Sequence, residues 1–208
     1  MNEKKGIVVY HGGRKFSGPV DILPKASKNA QNGPGFYTTT NLYTAQKYAK
    51  GGGVVHRIIL SPETRFNNTD GNITLSDAIE WVESRSGLRK KKEIIADLKK
   101  NSENRADRLG PGVVYEWALL NLCVNHDVLS GEHGPALAAW MVEHGIDAEV
   151  ERAMKNNEEW VSIFNPNVVI HREILANAGE GCEYELPRVA EQISALLDAG
   201  KKPGPKPR

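Results

Sequence analysis

The chain has 208 residues, 39% hydrophobic and 25% charged, with a formal net charge of +1. That is enough apolar material for a substantial core, and the near-neutral balance excludes a global field committing the chain to nucleic acid or a membrane surface. Two cysteines far apart, Cys123 and Cys182, exclude a disulfide framework or a Cys-x-x-Cys zinc site, and no apolar run is long enough to span a bilayer. The opening Met-Asn-Glu-Lys-Lys-Gly lacks the apolar segment of a signal peptide, so a cytoplasmic location is expected.

In chain order, Gly6 to Tyr10 reads as an apolar strand ending in a glycine turn, His11-Gly12-Gly13. Arg14 to Asn32 reads as a loop with one short helix. Gly33-Pro34-Gly35 then turns into Phe36-Tyr37-Thr38-Thr39, an extended run. A short helix follows, capped by Asn41 and stopped at Gly51. Val54 to Leu60 is a strand ended by Ser61-Pro62.

From about Thr74 to His144 the pattern becomes helical and reads as an insertion. Thr74 with Asp77 suggests a capping box, and Leu88–Lys100, Val113–Val124 and Pro135–Glu143 carry apolar residues at helical spacing. Strand patterns return in Ala148–Met154, Glu158–Pro166 and Val168–His171, and Pro187–Ala199 is a final helix. Residues 1–200 thus read as one α+β domain with an insertion over 74–144, and the Lys- and Pro-rich tail 201–208 as disordered.

Standard nucleotide and hydrolase signatures are missing: no G-x-G-x-x-G, no P-loop, no H-E-x-x-H and no G-x-S-x-G. The histidines show no metal-ligand spacing. What remains is a His at the end of an early strand, two tyrosines on a strand–helix unit, and an acidic pair opening a late strand. Arg85, Arg89, Lys90, Lys91 and Lys92 form a basic cluster that reads first as a solvated helix face and second as a contact for nucleic acid or an acidic protein.

Val9-Tyr10-His11-Gly12-Gly13 resembles the first motif of the diphtheria-toxin/PARP-like ADP-ribosyltransferases, a His-Gly pair at a strand end. Gly35-Phe36-Tyr37 through Tyr48 resembles their second motif. Gly145-Ile146-Asp147, Glu159-Trp160-Val161 and Phe164-Asn165-Pro166 resemble the late motif of bacterial and phage members, whose strand opens with a catalytic Glu. The resemblance covers roughly the first sixty residues and the last third up to Ile170; the helical middle matches nothing. It implies a split, mostly antiparallel sheet and transfer of ADP-ribose from NAD to a macromolecular acceptor, protein or nucleic acid. It further implies a toxin or phage-encoded effector role, an antitoxin protein as partner, and no metal.

Carried over residue by residue, the resemblance assigns Glu159, Tyr37 and His11 to catalysis and His11, Gly12, Tyr37, Thr39 and Tyr48 to NAD binding. The chemistry is coherent. Breaking the nicotinamide–ribose bond builds positive charge on the ribose, which a carboxylate stabilises. Tyr37 and Tyr48 can hold the ring flat, and the Gly12 backbone can grip the carboxamide. One departure stands out: the family's spacing back from Phe164-Asn165-Pro166 puts Trp160 where the Glu is expected. Alternation along a strand admits only one of Glu158 and Glu159 to the pocket. Either a bulge restores Glu159, or Glu158 is used, or the site is altered. Glu159 is favoured because Glu-Trp-Val resembles the family's Glu-Tyr-Val. Rival readings are an NAD glycohydrolase, a transferase acting on nucleic acid, and an inactive ligand-binding module.

Overall fold

The computed structural model describes residues 5–26, 29–30, 33–67, 72–152, 158–175 and 185–200, with only the backbone of 72, 152 and 200. The expected tail 201–208, Cys182 and the end of the Ala148–Met154 strand lie outside the described residues. The chain begins with β1 (Ile7–Gly13), β2 (Phe36–Thr39), α1 (Leu42–Tyr48) and β3 (Val54–Leu60). Next come β4 (Asn72–Thr74), α2 (Leu75–Ser84), α3 (Lys91–Asn104), α4 (Ala106–Leu109), β5 (Val113–Tyr115), α5 (Ala118–Asn125) and α6 (His133–Glu143). It closes with β6 (Ala148–Arg152), β7 (Glu159–Ile163), β8 (Val169–Ile174) and α7 (Val189–Gly200). Helices together with a sheet of antiparallel strands make this an α+β arrangement.

Six strands form one sheet in the order β6-β7-β2-β1-β3-β8, with antiparallel pairing throughout. β1 and β3 pair along their whole length, but β1 and β2 share only the pair Tyr10 and Thr39. Two well-paired halves therefore meet at a single point. Backbone groups beside that join still need partners, because an unpaired buried amide costs about as much as a lost hydrogen bond. Side chains supply them. The Gln192 amide of α7 takes both the N–H and the C=O of Val8 at 2.8 and 3.1 Å, and the His11 ring reaches the Tyr37 carbonyl at 2.7 Å.

One face of the sheet packs Ile7, Val9, Ile58, Leu60, Val161 and Ile163 against Val189 of α7, with Ile193 and Leu196 alongside. On the other face α1 lies on β1, where Tyr10, Ala45 and Val55 are buried together. The expected turn at His11-Gly12-Gly13 is strand instead, paired with His56, Val55 and Val54. Gly12 is needed there for closeness rather than turning, since a Cβ would stand 1.6 Å from the Ala45 carbonyl oxygen. Gly12→Ala must push α1 off the sheet, and a loss of about 2 kcal/mol is expected, read from urea unfolding.

Between β3 and β6, the two-stranded sheet β4–β5 and helices α2 to α6 enclose their own core, including Trp81, Ile94, Leu98, Leu119, Leu137 and Met141. Local signals here act as read: the Thr74 hydroxyl accepts from the Asp77 amide at 3.0 Å. Gly145, at φ +87°, ends α6 while Gly145 and Ile146 donate back to Val142 and Met141. Two boundaries differ. The Leu88–Lys100 helix starts only at Lys91, after Lys90 in the left-handed region at φ 54°. The Val113–Val124 helix is strand β5 followed by α5, because the β-branched Val113 and Val114 pair with Thr74 and Ile73. In the loop before β2 the Asn29 amide donates to the Ala26 carbonyl and the Gly33 amide to the Ala30 carbonyl, and the described residues hold no helix.

Candidate functional site

A cavity of about 430 Å³ opens on the α1 side of the sheet, where β1, β2 and β7 meet. That volume lies within the range of small-molecule sites. His11, Gly12, Tyr37, Thr39 and Tyr48, all singled out in the sequence, border it together. Trp160 and Ser162 complete the wall, because Thr39 pairs with Trp160 and Tyr37 with Ser162, and cross-strand partners share a face.

The individual side chains are held differently. Tyr48 sits at the mouth, 68% exposed. The Tyr37 hydroxyl donates to the Gly33 carbonyl, and the Lys25 ammonium stands 3.3 Å from the centre of its ring. The His11 ring packs on Phe36, with ring centroids 4.2 Å apart. A carbonyl only accepts, so His11 Nδ1 donates to Tyr37 and Nε2 carries the lone pair. Burial lowers the His11 pKa, against the smaller opposing effect of that carbonyl.

The acidic pair separates across the sheet. Glu158 Oε1 accepts from the Thr39 hydroxyl at 2.6 Å and from the Trp160 indole at 3.0 Å, and Oε2 accepts from the Thr44 hydroxyl at 3.1 Å. All three donors line the cavity, so the Glu158 carboxylate lies directly behind its wall. Glu159 Oε2 instead accepts from the Val189 amide at 2.7 Å, at the start of α7. The β7 ladders run in register from Glu159 to Ile163, with no bulge in that span to bring Glu159 round. Glu159 is in phase with Val161 and Ile163, which pack in the α7 core; Glu158 is in phase with Trp160 and Ser162. The favoured register for Glu159 therefore does not bring it to the cavity, whereas Glu158 stands one residue layer behind the wall. Glu159 anchors a helix start, and Glu159→Ala is expected to cost about 1.5 kcal/mol in urea unfolding.

Two further carboxylates share the cavity face by register: Glu149 opposite Ser162 and Glu151 opposite Trp160. The Glu149 pKa is pushed up to about 7, first by burial and then by Glu151 and Glu116. Much of the basic cluster is committed locally. Arg89 donates to the Asp127 carbonyl, Lys91 to the Glu83 carbonyl, and Arg85 lies over the Trp81 ring.

Sequence reasoning missed Lys25, whose amine is brought to about 7 by burial. It lies in an irregular loop with no periodicity, so no local signal points to it. It also missed Thr44, which serves the site only because α1 folds back over β7's neighbour.

Among the described residues no group of three His, Cys, Asp or Glu converges as metal ligands would, and no helix is long and apolar enough to cross a membrane. No protein-family model, curated protein or solved structure matches this chain.

Proposed function

We propose that this chain is a mono-ADP-ribosyltransferase that takes NAD as substrate, releases nicotinamide and transfers ADP-ribose to a macromolecule. The observation that carries the reading is the convergence of Tyr37, Tyr48 and Trp160 on one cavity with the Glu158 carboxylate immediately behind it. Aromatic faces suit a flat pyridinium ring. The glycosidic bond breaks with its electron pair moving to the ring nitrogen, so nicotinamide leaves neutral and the ribose carbon becomes cationic. Glu158 has three of its roughly four acceptor positions filled by protein donors, and the remaining one can take a ribose hydroxyl beside that charge. The acceptor nucleophile then bonds to the ribose carbon and gives up its proton to solvent. The split join between β1 and β2 supports the same reading, since it keeps Gly12 and Tyr37 at the cavity without a continuous ladder between them. On this reading the protein works in the cytoplasm as a toxin or phage-type effector, with an antitoxin as partner.

A second reading is a binding module that holds NAD without turnover. Two observations favour it: Trp160 lines the cavity at the position where the family's spacing expects the glutamate, and Glu158 is engaged by three protein donors. Equilibrium NAD binding and nicotinamide release, each with and without cell extract or RNA, separate the two. Release in any mixture supports the transferase, and the stimulating fraction identifies the acceptor class. Tight binding with no release in every mixture makes the binding module the better account.

A further inference from the structure

The side chain of Lys25 is spent on the cavity wall. Its ammonium caps one face of the Tyr37 ring at 3.3 Å and donates to the Gly35 carbonyl at 2.6 Å and the Gly33 carbonyl at 3.4 Å. The Tyr37 hydroxyl donates to the same Gly33 carbonyl, so lysine, turn and ring form one unit. The Lys25 backbone is tied as well, its carbonyl accepting from the Gly131 amide at 2.9 Å in the loop between α5 and α6. Tyr37 lines the cavity and Lys25 does not. A ring stacked in the cavity and the Lys25 amine therefore meet Tyr37 from opposite sides.

We propose that Lys25 is a positioning and specificity residue of the nicotinamide subsite, whose cation behind Tyr37 weakens capture of the charged pyridinium ring and favours its departure as neutral nicotinamide. This inference rests on the NAD reading of the cavity. An aromatic face attracts a cation through its quadrupole, and here one ring serves two cations from its two sides. They stand about 7 Å apart, where repulsion at an intermediate dielectric changes affinity on the order of tenfold. When the glycosidic electron pair moves to the ring nitrogen, the pyridinium loses its charge and that repulsion ends. The same lysine thus raises KM and raises kcat.

The switch falls near neutrality, because burial brings the Lys25 pKa to about 7. Around the amine are the Tyr37 ring, the Gly33 and Gly35 carbonyls and the Ser130–Gly131 loop. Among the described residues these are the groups that meet the amine, and burial is what lowers its pKa. The cation is present below that value and lost above it.

Steady-state nicotinamide release from NAD at about pH 6 and about pH 8.5 tests this, in wild type, Lys25→Met and Lys25→Arg. For wild type, KM is expected to be on the order of tenfold higher at the lower pH. Lys25→Met is expected to hold the low KM at both pH values and to lose kcat at the lower one. Lys25→Arg, always charged, is expected to hold the high KM at both. A lysine that merely supports the turn would shift KM by the same factor at both pH values in Lys25→Met, and that result overturns the inference. So does a wild-type KM that does not change with pH, while leaving the NAD reading intact. Failure of the folded wild type to bind NAD at either pH removes the NAD reading and this inference with it.

Discussion

On the proposed transferase reading, Glu158→Gln is expected to lower the kcat of nicotinamide release by about 10²–10³-fold, while Glu159→Gln keeps kcat close to wild type in the folded fraction. The two residues are neighbours with the same side chain, so composition and charge cannot explain a difference between them. Their phases can. Glu158 shares its face with Trp160 and Ser162 and accepts from Thr39, Thr44 and Trp160, all at the cavity; Glu159 accepts from Val189 at the start of α7. Gln at 158 keeps the shape and most of the hydrogen-bonding capacity but removes the charge proposed to offset a cationic ribose. NAD affinity should fall much less than kcat, because the aromatic walls remain. Circular dichroism and urea midpoints of both variants provide the control for folding. Equal loss in both variants at unchanged stability would count against the phase argument. Loss confined to Glu159→Gln would require β7 to slip by one residue in solution.

The largest effect on stability is expected at Asp147. Its carboxylate accepts from Arg65 Nε at 2.9 Å, from an Arg65 terminal nitrogen at 3.0 Å, from the Arg65 amide at 3.0 Å and from Asn165 Nδ2 at 2.7 Å. Its own carbonyl also accepts from the amides of Phe164 and Asn165. One buried side chain therefore fastens the segment after β3 to the start of β6 and the end of β7. Asp147→Asn presents an amide N–H to a guanidinium that can only donate. The Arg65 side chain is 56% exposed and can turn to water, which discounts the ion-pair part; a loss of about 3 kcal/mol in urea unfolding at neutral pH is expected.

The pH dependence has a definite sign. Burial would raise the Asp147 pKa, but hydrogen bonds from Arg65 and Asn165 and the Arg65 charge outweigh it and leave the carboxyl below its ordinary value. The contribution is therefore whole above the unfolded value of about 4 and lost as pH falls through the lower folded one. Wild type should lose stability on acidification in that window, and Asp147→Asn should lack this component. Parallel acid profiles of the two proteins would show that the carboxylate contributes nothing linked to its charge.

Much of this molecule is written locally in its sequence. The strands at Ile7, Phe36 and Val54, the Asn41 and Thr74 caps, the Gly145 stop and the helical run between β3 and β6 follow from propensity, capping chemistry and periodicity, all of which act within a few residues. The members of the cavity were legible for the same reason: Tyr37, Thr39 and Tyr48 belong to one short strand–helix unit, and His11 and Gly12 end the strand it joins. Where local rules gave two equal answers, tertiary contact chose. Nothing near Glu158 and Glu159 distinguishes them. Their faces are set by the pairing of Trp160 with Thr39 and by α7 docking its Val189 amide on Glu159, partners far away in the chain. Gly12 reads as a turn until the Ala45 carbonyl is brought against it, and Val113–Tyr115 reads as helix until Asn72–Thr74 offers a strand edge. Lys25 is invisible to periodicity because an irregular loop carries it, and only the folded chain lays its amine on Tyr37. Local sequence suffices for most of the elements and for the His11, Gly12, Tyr37, Thr39 and Tyr48 part of the cavity. The tertiary structure decided which carboxylate faces the cavity and which cation stands behind its wall, because both depend on register and packing between segments that no local rule connects.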